Sequence, residues 1–529
     1  MTAPMAASRA AQTAVRMTSR GAARLSVQLA RGVAHGVALS VAALVVALVA
    51  GCAQPPKTTL PDVPMATSFK EARGPWVEAG ASAAAPIALD GWWKSYGDPE
   101  LDALQQRLVE HSPDLASALA RYQQARAATD SLRSAQSPTL NSSLNGQRDR
   151  QSERRPLRVL GPTSPDWYNS ATLGLDLSYE VDLWGRISQQ VRAGLASERA
   201  AAADLAAARL ALQAQLADSL LQLRGIDRDN ALLADAEEAY TRAFDLISRR
   251  HQAGIASGLD QARAEGQLES ARSQRKQSQA QRAVLEHAIA ALVGANASSF
   301  RIEPAASLEL AMPVVPTGLP STLLERRPDI AAAQQRVVAA TATLGVAKTA
   351  FFPSVMLSAQ GGFQSSDFGR FLEAPNLFWA IGPTLAYNLF DGGRRKAEDA
   401  RAAAALDESA QRYRGTVLAA FQQVEDQLVL LDRYGEALEA ENKSVDAAER
   451  SLALATNRYR AGAAAYLEVV TSQTAGLQAR RSAVDLATRQ RRATVALVRA
   501  LGGGWQQPVE MKTDAGASEA FAVTRNGNP

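Results

Sequence analysis

The sequence predicts an α+β membrane protein in which strands serve a β-barrel and very long helices make up most of the rest. Three observations carry that prediction. First, hydrophobic period changes from two to about 3.6 within one run. Ala171, Leu173, Leu175, Leu177, Tyr179, Val181 and Leu183 alternate with Thr172, Gly174, Asp176, Ser178, Glu180 and Asp182, giving one face for an apolar medium and one for water. Past Trp184 and Gly185, apolar residues recur at Ile187, Val191 and Leu195 and again from Leu205 to Leu223, as on a helix. Second, proline is absent from Asp166 to Glu303 and from Thr384 to Gln507, and its missing N–H would break a long helix. A helix from Arg186 to Arg250 at about 1.5 Å per residue is a rod of roughly 100 Å, far beyond the needs of a globular domain. Third, the unit occurs twice. Tyr179 and Tyr387, Gly185 and Gly393, Gly254 and Gly462, and Gly294 and Gly502 are each 208 residues apart. Upstream of the second strand Pro113 and Pro328, Pro138 and Pro353, and Gly146 and Gly361 are 215 apart, so the chain reads as a tandem duplication.

Taken in order, residues 1–51 read as a lipoprotein signal peptide. Arg9, Arg16, Arg20, Arg24 and Arg31 precede an apolar run from Val37 to Ala50 that is short for a membrane span, and Met17 is an alternative start. The run ends Val49-Ala50-Gly51-Cys52, which resembles a lipobox, and Cys52 is the chain's single cysteine. Cys52 is therefore expected to carry lipid, and Ala53 after it favours the outer membrane. Residues 52–90, rich in Pro, Ala and Gly, read as an extended tether. The first repeat is placed at residues 91–310. Asp98-Pro99-Glu100 starts a helix, and Ser112-Pro113-Asp114 opens another that runs to about Gln136. Strands follow at Thr139 to Arg148 and Ala171 to Leu183, then the rod, a turn at Gly254, and a returning helix to Gly294. The second repeat, residues 311–511, has strands at Ser354 to Phe363 and Trp379 to Leu389, a rod, a turn at Gly462 and a return to Gly502. Residues 512–529 read as a disordered tail.

Each of the four strands is about the length that spans an outer membrane. A strand in lipid must pair on both edges and small closed barrels need about eight strands, so several chains must share one barrel. Trp167, Tyr168, Phe378 and Trp379 gather at the loop end of the strands, and Trp184, Phe351, Phe352 and Phe390 at the helix end, as interfacial girdles would. Arg148, Arg150, Arg154, Arg155 and Arg158 are placed in the first external loop, either solvated or facing anionic lipopolysaccharide.

Composition narrows the function classes. With 529 residues, 47% hydrophobic, and a net charge of only +4, the chain offers a sizeable core but no basic stripe for nucleic acid. Aromatics are 5%, which suits closely packed alanine-rich helices. No zincin motif, Walker loop, nucleophile elbow or dinucleotide fingerprint occurs, and His35, His111, His251 and His287 lack metal-ligand spacing. Neither an enzyme nor a cofactor, beyond the lipid on Cys52, is expected.

The duplicated order, the Glu325-Arg326-Arg327-Pro328-Asp329-Ile330 stretch, Phe351-Phe352-Pro353-Ser354 and the lipobox resemble the TolC/OprM outer-membrane factors, in particular the NodT-like lipoproteins. The resemblance covers about Trp92 to Trp505. It implies a homotrimer in which four strands per chain close a twelve-stranded barrel, continued by an α-helical coiled-coil tunnel across the periplasm. It also implies an exit duct for small molecules in a tripartite system with a periplasmic adaptor and an inner-membrane transporter of the RND class. The alternatives are a type I protein-secretion duct and a structural envelope lipoprotein. In such proteins the turns at Gly254 and Gly462 form the gate. Tyr459, three before its turn glycine, and Asp260, six after its own, match the Tyr and Asp that tie the coils together, and Glu468 matches a constriction carboxylate. Ala464 and Thr471 depart from the pattern, standing where an Arg and a second carboxylate occur. From the residues alone, Asp260 and Glu468 also suit the first turn of any helix, and Tyr459 suits packing in a coiled coil.

Overall fold

The computed structural model describes residues 56–64, 66–73, 91–150, 152, 167–306, 309–313, 315, 320 and 323–506. The signal segment, Cys52, Arg154, Arg155, Arg158 and the tail 512–529 lie outside these residues. The described elements run α1 (Pro99–His111), α2 (Pro113–Ser134), β1 (Thr139–Arg150), β2 (Trp167–Glu180), α3 (Arg186–Gln252) and α4 (Gly258–Leu292). After one helical turn at Leu323–Arg326 come α5 (Pro328–Thr349), β3 (Ser354–Ser365), β4 (Leu377–Ala386), α6 (Arg394–Arg460) and α7 (Tyr466–Ala500). From α2 and α5 onward the two halves share one element order. α3 and α6 are each 67 residues and α4 and α7 each 35, while α2 and α5 are each 22 and β1 and β3 each 12.

The chain divides into two compact units. One holds the strands with the adjoining helix ends, and the other holds the described residues within 58–132, 191–341 and 401–506. In the first, the strands form one antiparallel sheet in the order β1-β2-β3-β4, so among the described residues neither outer edge is paired within the chain. The register puts like with like. Leu144 opposes Leu173, Leu173 opposes Phe363 and Phe363 opposes Leu377, while Asn141 opposes Asp176 and Asp176 opposes Gln360. One face is therefore apolar across all four strands and the other polar. The apolar face is open, with Leu144 76% exposed, Trp379 75%, Leu385 68% and Ile381 67%. A contiguous open apolar face of this kind marks contact with a partner chain or an apolar phase. Among the described residues no helix is long and apolar enough to cross a membrane.

Strand limits differ from those expected. β1 reaches Arg150, so Arg148 and Arg150 belong to the strand, and their guanidinium groups lie 5.8 and 5.2 Å from the Trp167 ring centroid. β2 starts at Trp167 and stops at Glu180 because the Asp182 carboxylate takes up α3 instead. It accepts the Ile187 and Ser188 N–H groups at 3.0 and 2.8 Å and the Ser188 hydroxyl at 2.6 Å. These donors hold its carboxyl below the usual range against the desolvation that pushes the other way. β4 likewise ends at Ala386, short of Leu389, and Asp391 caps α6 by accepting the Gly393 and Arg395 N–H groups. At this end Trp184 stacks on Phe352 with ring centroids 5.1 Å apart, its indole N–H donating to the Pro353 carbonyl at 2.6 Å.

The second unit has its main core where α1, α3, α4, α6 and α7 meet around Tyr96, Leu108, Leu220, Val293, Leu428 and Leu497. Part of the segment expected as an extended tether is seated here. Val63 packs on α5 and α6, Phe69 enters the main core, and the Glu425 carboxylate accepts the Lys70 and Glu71 N–H groups at 2.8 and 2.9 Å. Two apolar side chains and a bidentate carboxylate suffice to order a segment whose composition alone reads as extended.

Candidate functional site: the paired helix turns

Each long helix ends on a glycine with positive φ, Gly254 at 72° and Gly462 at 73°. In the first turn the N–H of Ile255 reaches back to the Arg250 carbonyl and that of Gly254 to the His251 carbonyl, both at 2.8 Å. In the second the N–H of Ala463 reaches Arg458 at 2.8 Å and that of Gly462 reaches Tyr459 at 3.0 Å. This is the left-handed helix ending that a Cβ disfavours, which is why glycine stands at both places.

The returning helices start differently. Ser257 caps α4, its hydroxyl oxygen accepting the Asp260 N–H at 3.2 Å while the hydroxyl donates to the Asp260 carboxylate at 2.9 Å. Arg263 lies 3.8 Å from the same carboxylate. Ala465, at the corresponding place before α7, offers no side-chain cap. There the Arg458 guanidinium closes the turn, 3.1 Å from the Glu468 carboxylate and donating to the Ala463 carbonyl at 3.4 Å.

Tyr459 and Asp260 are not joined within one chain. The Tyr459 hydroxyl accepts from Arg250 at 3.2 Å, and the Arg250 guanidinium sits over the Tyr459 ring, 5.6 Å from its centroid. Arg250 thus links the first turn to the second, a residue that sequence reading passed over because any helix C-terminus favours arginine. Glu468 is likewise paired with Arg458 rather than standing alone.

Tyr466 was also passed over. It is 4% exposed, packed with Ile247, Ala264 and Val469, and its ring centroid is 5.5 Å from that of Tyr459. Burial first, then the nearby Tyr459, Tyr240 and Asp260, pushes its phenol up to about 12. Its hydroxyl is buried with no hydrogen-bond partner among the described residues.

Farther from the turns, a buried ionic network ties α3 to α4 and to both neighbouring segments. Arg224 bonds Asp98 at 2.9 Å and the Glu303 carbonyl at 2.8 Å, and it lies 3.5 Å from Asp227. Arg282 donates to Asp227 at 2.6 Å and approaches Glu286 at 3.2 Å. Among the described residues no group of three or more His, Cys, Asp or Glu side chains could hold a metal ion.

Comparison with known proteins gives these features a context. The model of the family described as outer membrane efflux protein matches residues 104–295 and 319–503. The chain is 35% identical over 440 residues to the pyoverdine export outer membrane protein OpmQ of Pseudomonas aeruginosa, covering 82% of this chain and 90% of that one. It is 32% identical to outer membrane protein OprJ of the same organism over 86% of this chain and 94% of that one. Among solved structures, the outer membrane protein VceC of Vibrio cholerae superimposes with a TM-score of 0.74 at 29% identity, over 80% of this chain and all of that one. The chain belongs to the outer membrane efflux protein family.

Proposed function

We propose that this protein is the outer-membrane exit duct of a tripartite efflux system, through which small molecules leave passively after an inner-membrane pump has loaded them. The observation that carries this reading is the sheet: four strands, apolar on one face and polar on the other, with two unpaired edges. In lipid those edges must be closed by other chains. Three copies give a barrel of about twelve strands, apolar outside and polar within, a size that leaves room for water. The chain is read as a tandem duplication, 91–310 and 311–511, in which equal helix lengths and a constant 208-residue offset support a common origin. The paired long helices of each copy make the periplasmic tunnel. Cys52 carries the lipid that anchors the N-terminus, followed by the segment 52–90.

A periplasmic adaptor docks on the tunnel and an inner-membrane transporter of the RND class supplies the energy. The turns at Gly254 and Gly462 are the gate, with Asp260, Tyr459 and Glu468 as its polar residues. Asp260 works through Ser257, Tyr459 through Arg250, and Glu468 through Arg458. Transport involves no chemical step. Single-channel recording of the purified protein in a planar bilayer tests the duct, with light scattering in detergent for the trimer. A monomer with intact β-structure, or a trimer that never conducts, overturns the reading.

A further inference from the structure

The first and second turns carry Gly258 and Tyr466 at equivalent places, 208 residues apart. Only the second therefore presents a large side chain at the start of its returning helix. That side chain belongs to a cluster shared by both hairpins. Ile247 of α3, Ala264 of α4 and the half-buried Phe244 and Ala256 come from the first, and Ala455, Val469 and the half-buried Tyr459, whose ring centroid is 5.5 Å away, from the second. The ring is almost fully buried, yet its hydroxyl has no partner, so the ring and not the hydroxyl supplies whatever holds it there.

We propose that Tyr466 is the residue that keys the second hairpin into the first, an apolar plug that keeps the two turns together in the closed tunnel. The proposal rests on reading the protein as a channel gated at its turns, and it adds a positioning residue to that gate. A buried ring must leave its seat before the turns part, whereas the Arg250 and Tyr459 contact is half exposed and can exchange its partner for water. The unpartnered hydroxyl makes the idea unusually testable. Removing the hydroxyl alone relieves a buried polar group and should tighten the seat, while removing the ring should empty it.

The experiment compares Tyr466→Phe and Tyr466→Ala with the wild type in the full-length protein. Spin labels at Ile255→Cys and Ala463→Cys, both exposed positions on the two turns, report their separation. Single-channel recording reports the gate. Tyr466→Ala is expected to broaden and lengthen the label distances and to raise open probability on the order of tenfold. Tyr466→Phe is expected to keep the wild-type distances, with open probability at or below the wild-type value. Because the first half carries glycine at this place, the turn itself does not need the ring to form. Unchanged distances in Tyr466→Ala, or opening by Tyr466→Phe as large as by Tyr466→Ala, overturns the proposal. Labels that spread in Tyr466→Ala while no variant conducts, wild type included, support the plug and overturn the channel reading instead.

Discussion

The two hairpins share lengths, turn glycines and a carboxylate two residues into the returning helix, yet they are secured by different physics. The α3–α4 hairpin is held by polar bonds. Ser257 and Asp260 cap its turn, and Arg224, Asp227, Arg282 and Glu286 fasten its two helices with little exposure to water. In the α6–α7 hairpin the equivalent residues, 208 further on, are Ala465, Asp432, Gly435, Gln490 and Thr494, which cannot rebuild either arrangement. It relies on exposed ion pairs, Arg458–Glu468 at its turn and Arg480–Glu449 between its helices, on the apolar cluster around Tyr466, and on the core, where Thr494 bonds the buried Tyr96 hydroxyl at 2.5 Å. A buried network fixes geometry, whereas an exposed pair and an apolar contact can be broken and remade without stranding a charge. The buried network lies in the first hairpin, and Arg481 and Arg492 of the second reach it through Asp229 and Asp218.

The largest test of that contrast is at Asp227, whose side chain is 1% exposed and serves both Arg224 and Arg282. Asp227→Ala removes the carboxylate that two guanidinium groups share, leaving Arg224 with Asp98 and Arg282 with Glu286, and should cost about 3 kcal/mol in thermal or denaturant unfolding. Gly435→Ala, the matching place in the second half, meets only the Gln490 side-chain amide at 3.0 Å and should stay within about 1 kcal/mol of wild type. Comparable losses at the two sites would erase the contrast.

Next in size are the contacts between the turns. Tyr459→Phe and Arg250→Ala remove one shared interaction, so their double variant should open the channel no more than the stronger single one. Tyr459→Phe and Asp260→Ala, which touch different partners, should add within about 0.3–0.5 kcal/mol in the closed-to-open equilibrium measured by bilayer recording. A larger coupling would mean that a neighbouring chain brings these two together.

The Tyr466 phenol sharpens the comparison through pH. Its folded value of about 12 lies above the ordinary 10.0, so the neutral seated ring is fully favoured below pH 10 and loses that advantage as pH rises toward 12. Label distances between the turns should therefore widen over that interval in the wild type and not in Tyr466→Phe.

Smaller effects belong to the exposed residues. Because Arg458 offsets Glu468, Glu468→Gln should weaken cation preference and Arg458→Ala should strengthen it, read as opposite shifts in reversal potential under a salt gradient. Ser257→Ala should speed hydrogen exchange in the first turn of α4, consistent with a loss of about 1 kcal/mol, while Ala465→Ser should slow it in α7.

The sequence by itself determined the periodic features. Alternation across β1 to β4, the proline-free rods, both turn glycines and the two offsets are local properties of the chain, and each element lies within a few residues of its expected place. Strand ends were misplaced where Asp182 and Asp391 recruit backbone donors from the following helix, because alternation continues past the point at which a cap has already won. Tertiary structure alone decided the pairing of charges. That Tyr459 meets Arg250, that Glu468 meets Arg458, and that Asp227 is buried between two arginines all depend on which helix faces come together. It also decided that residues 63 and 69 pack against the helices and that Tyr466 joins a cluster shared by both hairpins. Period and backbone conformation are written into neighbouring residues, whereas a side chain's partner is set by which distant surfaces exclude water together.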